Sequence, residues 1–367
     1  MSTSYKSGTL LKQALLVITV LAAAGLMVSD FSKDIDPITF WPTAFAGLAF
    51  VPLFFINLAL LIIHAVRRKA IALLPLLVIL AGWKVVRGTF SLQSAANVES
   101  KPADATRILT WNVHYFENVD NSPIPQTQKR MAALAASLNP DVVCMQEFYT
   151  VDPDVKRGVD SMKLALNTRF AYLKTLEDPL RGIAVFSRYP IIRVIFIPLS
   201  APSSGNHCLA ADIKKDGKMM RVYIVHLESI KLGEGQLSYI NALVKGKEKD
   251  IKPSRQIAGQ LKHAFLKRSK QVKLIKRLAA TCPYPYIICG DFNDPPSSFA
   301  FNQMAEGMKS TFKEKGTGFF PVTYYKGFLK YQIDHILVSP QFEVLSHHII
   351  RKKISDHYPV LADLQLN

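Results

Sequence analysis

Cysteine is scarce in this chain. Four are present among 367 residues, at 144, 208, 282 and 289, and their spacing fits no zinc-binding pattern. Cys144 and Cys289 fall in apolar, strand-like runs and read as small buried hydrophobes. Cys208 and Cys282 are left as the pair that an oxidising compartment could join. Acidic residues are also in short supply, 28 against 45 basic ones, for a net charge of +17. The first hundred residues hold eight basic and four acidic side chains, so the rest of the chain carries +13. An excess of that size favours polyanions or an anionic membrane surface. No internal repeat and no low-complexity tract is present. Long apolar runs are missing after residue 90, and the remainder has the composition of a globular domain of sizeable core.

The apolar residues are concentrated at the start. Residues 10–28, 43–66 and 70–86 form three apolar runs, interrupted only by Lys12, Gln13, Asn57, His64 and Lys84. Spanning a bilayer takes roughly 20 such residues, so three transmembrane helices are expected within residues 1–87. The first run is long and is followed by two more, which argues against a cleaved signal peptide. Arg67, Arg68 and Lys69 fill the tight turn between the second and third runs, and Lys6 and Lys12 mark the N-terminus. Both should be cytoplasmic, which puts everything after the third run outside. Lys84 and Arg87 run mildly against this assignment. The expected setting is a multi-pass protein of the cell (inner) membrane with an extracytoplasmic domain. Three spans without a cluster of charges make a poor transporter, so Asn57 and His64 read as packing residues. Residues 88–106 are small and polar and read as a linker to a domain at 107–367.

Within that domain short apolar runs recur, at 108–111, 142–145, 183–186, 209–213, 222–225, 286–289, 336–338 and 360–364. Each has strand length, and many are rich in Val and Ile. Helical spacing appears at 126–138 and again at 257–280, the latter basic and amphipathic, either continuous or broken along its length. Alternating strands and helices with hairpin-like pairs predict an α/β sandwich. Residues 229–255 are lysine-rich with weak periodicity and read as an inserted surface loop.

Polar residues capable of chemistry sit where these strands end. Asn112 closes "ILTWN", Glu147 closes "DVVCMQE", and His226 closes "VYIVH". Asp291 and Asn293 close "YIICGDFN", Asp334 and His335 lie in "YQIDHIL", and Asp356 and His357 precede the last strand in "ISDHYPV". A rigid strand aims such a side chain while the following loop leaves it accessible. Singly, each has a plain explanation as a cap, a turn or a satisfied core residue. Six together point to one shared sheet edge.

The ordered set W-N-V, Q-E, H-L-E-S, G-D-F-N, I-D-H and S-D-H-Y-P-V, with "GIAVFSRYPI" at 182–191, resembles the endonuclease/exonuclease/phosphatase superfamily from residue 107 onward. The resemblance implies a four-layer α/β sandwich, two face-to-face β-sheets flanked by helices. It implies hydrolysis of phosphoester bonds by in-line attack of water with Mg²⁺, or Mn²⁺ in its place. Glu147 is then the leading metal ligand, with Asp356 and Asn112 as further metal contacts. Asp291 and His357 are the two candidate bases, Asp334 orients His357, Asn293 orients water or a phosphate oxygen, and His226 serves the phosphate or the leaving oxygen. Arg268 and Gln271 read as bridges between layers, and His335 as structural. The implied partners are a phosphoester substrate, nucleic acid or a phospholipid head group, and the bilayer; no protein partner is evident. A sphingomyelinase-like phospholipid phosphodiesterase and a catalytically inactive tethered binding protein are the competing readings.

Overall fold

A computed structural model describes residues 2–93, 98, 101–117, 122–201, 205–230, 233–247, 252–326 and 330–367. The chain divides into two compact units, Met1–Thr89 with Pro296–Gln303, and Phe90–Pro295 with Met304–Asn367.

The first unit is helical: α1 (Ser2–Phe31), α2 (Pro37–Phe40), α3 (Pro42–Leu48), α4 (Phe50–Val66), α5 (Leu73–Ala81) and α6 (Trp83–Thr89). The sequence predicts three transmembrane helices. Among the described residues, one helix, over Lys12–Phe31, is long and apolar enough to cross a membrane by itself. The second and third runs are each bent, by 64° between α3 and α4 and by 65° at Gly82, and reach spanning length only if each bent pair counts as one span. Pro52 explains the first break. It has no N–H for the carbonyl of Leu48, and a helix restarting at Phe50 places Pro52 in a first turn, where no donor is required. The second break falls at glycine, a poor helix former. Asn57 and His64 are buried against α1. Asn57 Nδ2 donates to Ala22 O (2.9 Å) and Leu53 O (2.9 Å). Thr19 donates its hydroxyl to Leu15 O, so its oxygen accepts from His64 Nε2 at 2.9 Å. These are the polar ties expected between helices that share apolar surroundings.

The second unit holds two sheets. Its strands are β1 (Thr106–Asn112), β2 (Val142–Tyr149), β3 (Phe170–Thr175), β4 (Arg181–Ser187), β5 (Ile191–Pro198), β6 (His207–Lys215), β7 (Lys218–His226), β8 (Tyr286–Asp291), β9 (Lys309–Ser310), β10 (Asp334–Val338), β11 (Phe342–Ile349) and β12 (Val360–Leu366). The sheet orders are β11-β12-β1-β2-β4-β3 and β5-β6-β7-β8-β10-β9. β1 runs parallel to β2 and β7 parallel to β8, while every other paired strand is antiparallel. Both sheets are therefore mixed.

Alternation along the strands builds two cores. Ile108, Val142, Cys144, Val360 and Ala362 point inward with Val222, Ile224, Ile287, Cys289 and Ile336 of the other sheet. Their neighbours Leu109, Trp111, Val143, Met145 and Leu361 point outward with Met131, Ala135 and Met162. Those last three lie on α7 (Ile124–Ser137) and α8 (Val155–Ala165), which cover that face. The remaining helices are α9 (Glu234–Val244), α10 (Lys252–Ala280), α11 (Phe299–Ala305) and α12 (Thr311–Lys315).

One expectation changes, and two open readings close. Residues 229–255 are not all loop: α9 occupies Glu234–Val244, while 231–232 and 248–251 lie outside the described residues. The basic helix α10 runs unbroken over Lys252–Ala280, with Ala264, Phe265, Arg268, Gln271, Val272 and Ile275 on its buried stripe. All four cysteines are free, so Cys208 and Cys282 are not joined.

Candidate active site

The same alternation that fills the core delivers the polar side chains. Val222 and Ile224 face inward on β7, so His226 does too. Ile287 and Cys289 set the direction of Asp291 on β8, and Ile336 that of Asp334 on β10. Register puts these residues side by side, with His226 opposite Asp291 on one flank and Asp334 opposite Asp291 on the other. Asn112, two steps beyond Thr110 on β1, has the parity of Ile108 and faces them from the other sheet.

Glu147 breaks the rule. With Cys144 inward, residue 147 would point outward. A bulge between Met145 and Phe148 removes that residue from the pairing with β4, and Glu147 takes φ 50°. Bulges re-aim side chains in this way, and a positive φ costs a glutamate of order 1–3 kcal/mol that the surrounding structure must offset. Glu147 thereby meets Asn112, whose Nδ2 donates to Glu147 Oε1 (3.1 Å) and to Asp291 Oδ2 (3.0 Å).

The two histidines are held differently. His357 Nδ1 lies 2.8 Å from Asp334 Oδ2, and its Nε2 lies 3.9 Å from Asp291 Oδ2. Trp111 Nε1 donates to the His357 carbonyl (3.0 Å), and the Tyr324 ring packs on the imidazole with centroids 5.0 Å apart. Burial alone pulls this imidazole toward the neutral form, but Asp334 and Asp291, with Asp356 behind them, carry its pKa well above the ordinary value. His226 Nδ1 is fixed on the carbonyl of Gly205 (2.9 Å). Its Nε2 is buried without a hydrogen-bond partner, 3.4 Å from Glu147 Oε1 and 3.8 Å from Asp291 Oδ2. Asp291 is pushed upward by burial and then by the Asp334 charge, against the opposing pull of His357, His226 and the Asn112 amide.

Asn293, at φ 52°, donates its backbone N–H to Asp291 Oδ1 (2.8 Å) and its amide to Leu227 O (3.0 Å). Asp356 lies at the margin. Ser355 Oγ sits 3.3 Å from its carboxylate and 3.0 Å from Asn112 O. Arg268 and Gln271 bridge layers: Arg268 pairs with Asp294 (2.9 Å) and donates to Glu228 O, and Gln271 accepts from Glu228 N. His335 is buried, with Nε2 on Asp294 O (3.0 Å), and burial lowers it to about 4.

Sequence reading missed three contributors. The Gly205 carbonyl sets the His226 tautomer, and a backbone group leaves no sequence signal. Trp111 anchors His357 from outside the cleft. Arg181 stacks its guanidinium 4.4 Å from the centre of the Tyr115 ring, whose hydroxyl is raised to about 12 by burial and by Glu147.

Two groupings in the site have the chemistry to hold a cation. The ligand atoms of Asp291, Asp334 and His357 lie within 4.8 Å of one another. However, Asp334 and His357 are already bonded to each other, so an ion there would have to break that pair. The second grouping is the pair of carboxylates Glu147 and Asp291, both braced by Asn112 Nδ2, while Asn112 Oδ1 accepts from His114 N at 3.0 Å. Here an unpartnered imidazole nitrogen faces two carboxylate oxygens, a local excess of negative charge that a cation would neutralise. Hard divalent ions take oxygen donors of this kind.

Two mixed sheets packed core to core, with carboxylates, amides and imidazoles gathered at the strand ends, define a hydrolase of the α/β-sandwich class. The profile of the Endonuclease/Exonuclease/phosphatase family matches residues 109–357, and the chain belongs to that family. Residues 12–89 match a separate domain of unknown function, DUF8431. No curated protein matches the chain. Among solved structures, an endonuclease/exonuclease/phosphatase from Beutenbergia cavernae is similar at 19% identity and TM-score 0.52, covering 72% of each chain. A humanized D. rerio TDP2 is similar at 15% identity and TM-score 0.51, over 72% of this chain and all of its own. A mannosyl-6-phosphatase from Bacteroides thetaiotaomicron is similar at 18% identity and TM-score 0.51, over 71% of this chain and 99% of its own. At these identities the likeness speaks to the fold alone.

Proposed function

We propose that the chain is a membrane-anchored, divalent-metal-dependent phosphodiesterase. The observation that carries this reading is the unpartnered His226 Nε2 between Glu147 and Asp291, in a pocket where Asn112, Asp334 and His357 converge. Glu147, its carboxylate braced by Asn112 Nδ2, would hold Mg²⁺ or Mn²⁺, which when bound supplies Lewis-acid neutralisation of the phosphoryl oxygens.

The remaining chemistry belongs to the side chains. Asp291 accepts the proton of the attacking water. Its Oδ1 is held by the Asn293 N–H, and its Oδ2, which accepts from Asn112 Nδ2, lies between the two imidazoles. His357, kept protonated by Asp334 and Asp291, donates to a phosphoryl oxygen and accumulating negative charge. His226, with its ring fixed by Gly205, faces the leaving group. Tyr115 and Tyr324 stay protonated at neutral pH, both at about 12, and offer hydroxyl donors and ring faces at the margins. The substrate class is a phosphodiester of nucleic acid or of a phospholipid head group.

Anchoring rests on the apolar surface of the first unit. Leu16, Val17, Ile18, Val20, Leu21, Ile56, Ile62 and Leu77 are exposed there, a display that water does not favour. The contacts Thr19–His64 and Ala22–Asn57 make α1 and α4 antiparallel, which supports placing the Arg67–Lys69 turn on the same side as Lys6 and Lys12. With the third apolar run as a further crossing, this favours an extracytoplasmic catalytic domain.

The test uses the full chain in detergent with DNA, RNA, sphingomyelin and bis(p-nitrophenyl) phosphate, with Mg²⁺ or EDTA. Turnover of one class, lost with EDTA and with Glu147→Ala, is expected. Turnover indifferent to EDTA would sink the metal-dependent reading, and no turnover at all would leave a tethered binding protein.

A further inference from the structure

The charge on α10 is of one sign. Over Lys252–Ala280 the helix has nine lysines and arginines and no aspartate or glutamate. Arg268 points inward, to Asp294 and the Glu228 carbonyl, and Lys267 pairs with Glu228 at 3.1 Å. Lys252, Arg255, Lys270, Lys273 and Arg277 are exposed. At 3.6 residues per turn these five share one narrow face, opposite the buried stripe of Ala264, Arg268 and Val272. Among the described residues, no carboxylate pairs with Arg255, Lys270 or Arg277. Lys270, Lys273 and Arg277 follow one another at three and four residues, a spacing at which like charges repel. A polyanion lying along this face would relieve that repulsion.

The helix crosses the edge of the sheet where the site lies. Gln271 meets Glu228 N and Leu199 O, just past the ends of β7 and β5, and Arg268 meets Asp294, just past the end of β8. Residues 269–280 return toward Tyr286 at the start of β8, and their length, about 18 Å, matches that of the strand. Residues 252–266 therefore run on past the site edge for about 22 Å along the helix axis. Helix α9 braces this overhang: Tyr239 Oη lies 2.6 Å from Ser254 Oγ, and Gln236 Nε2 donates to Gln260 Oε1 (2.9 Å). The basic face thus extends to both sides of the edge that holds His226 and Asp291.

We infer that the basic face of α10 is an extended binding site for the phosphates of a nucleic-acid strand, which it guides past the cleft at His226 and Asp291. As a substrate site it rests on the phosphodiesterase reading; strand binding itself does not. A strand carries a phosphate at every nucleotide and can use charges this far from the scissile bond, whereas a phospholipid head group cannot. A helix that lies in a bilayer surface buries its apolar face there, and the apolar stripe of α10 is already buried in the sandwich.

The experiment uses the full chain in neutral detergent micelles and a fluorescein-labelled oligothymidylate long enough to cover the helix, about 30 nucleotides. Wild type is compared with Arg255→Gln/Lys270→Gln/Arg277→Gln and with Lys270→Gln/Arg277→Gln. Binding is read by anisotropy in EDTA, between about 50 and 200 mM salt. Each lost phosphate contact should lower the slope of log affinity against log salt by about 0.7, so the triple variant should lose about two and bind at least tenfold more weakly at low salt. With Mg²⁺, its KM for the oligonucleotide should rise by a similar factor, while kcat and KM on bis(p-nitrophenyl) phosphate stay at wild type. The thermal midpoint should not fall, because like charges are removed. Wild-type affinity and slope in both variants would overturn the inference, as would a wild type that does not bind the strand. A loss confined to sphingomyelin turnover in mixed micelles with phosphatidylglycerol would also overturn it, by assigning the face to a lipid surface. If wild type turns over no phosphoester, the phosphodiesterase reading fails, and anisotropy alone decides the strand site.

Discussion

Asp334 Oδ2 lies 2.8 Å from His357 Nδ1, while the Asp334 backbone stands in register with Asp291 one strand away. One carboxylate thus fixes the tautomer of the imidazole and adds its charge to the neighbouring acid. The relationship is nonlocal, since it joins β10 to the turn before β12. It is carried by two buried residues, 1% and 6% exposed, so the pairing is little screened by water.

Asp334→Asn tests what that bond does. The amide keeps the shape but offers either an N–H, which favours the wrong tautomer, or an uncharged oxygen, which no longer holds the ring protonated. Turnover of the diester substrate should fall about 10²–10⁴-fold, the usual worth of a positioned acid or base. The alkaline limb of the pH–rate profile should move to lower pH, because His357 loses the charge that raises it. A profile with the wild-type alkaline limb would show that Asp334 does not act through His357.

Glu147→Gln separates metal binding from fold. The bulge that aims residue 147 is a backbone feature, so the glutamine should fold normally and still accept from Asn112 Nδ2. It removes the charge that a hard cation requires. Activity should require at least tenfold more Mg²⁺ for half-saturation, with a thermal midpoint near wild type in EDTA. Equal Mg²⁺ dependence in the two proteins would move the ion to the Asp291–Asp334–His357 grouping.

Much of this site is legible in the sequence for a simple reason. Strand alternation links His226 to Ile224, Asp291 to Cys289 and Asp334 to Ile336, so an apolar run that ends in a polar residue announces an inward-facing group. Asn112 follows the same rule. Glu147 does not, because its direction depends on a bulge and a positive φ that propensities do not encode. The carbonyl of Gly205 and the bonds of Ser297 to Ser32 and Gly47 are tertiary and leave no local trace. The apolar runs were legible by composition. Their bends were not, since Pro52 and Gly82 are both tolerated in membrane helices and neither alone dictates a break. Helix α9 was read as loop because its lysine-rich surroundings mask a short pattern.

Three histidines outside the proposed chemistry set the acid limit of stability. Burial pushes His207 to about 3, with His226 adding to the effect, His335 to about 4, and His347 to about 3. Each is neutral in the folded protein and gains a proton on unfolding below pH 6.5. Their contribution is complete above that pH and is lost as pH falls toward the folded values. The unfolded state then binds more protons, and stability declines by about 1.4 kcal/mol per pH unit for each histidine. His357 works in the opposite sense, favouring the folded state below pH 6.5. Denaturant unfolding between pH 6.5 and 5 should show the fall, and His347→Gln should make it shallower. His347 is the cleanest probe, since its Nδ1 meets Thr311 Oγ1 (2.8 Å) and its ring packs against Phe312 on α12. An unchanged slope in that variant would show that His347 protonates in the folded state.

Gly290 explains why the site motif begins with glycine. Its φ is 134°, and a Cβ there would fall within 3.0 Å of the Val225 carbonyl oxygen and nitrogen on the adjacent parallel strand. Both obstacles are backbone held in the sheet, so neither can move aside as a side-chain tip would. Gly290→Ala should therefore destabilise by about 3 kcal/mol or more, combining backbone strain with overpacking. Gly217 is the control. It sits at φ 82° in the β6–β7 hairpin after Asp216, with nothing within 4 Å of its notional Cβ. Gly217→Ala meets only the conformational cost of a positive φ, about 1 kcal/mol. Denaturant unfolding of the two variants measures the difference. Because Gly290 adjoins Asp291, its variant should also lose turnover under conditions where it remains folded, whereas Gly217→Ala should keep it. Equal destabilisation of the two would mean that the sheet yields at Val225, and that the glycine is there for its positive φ alone.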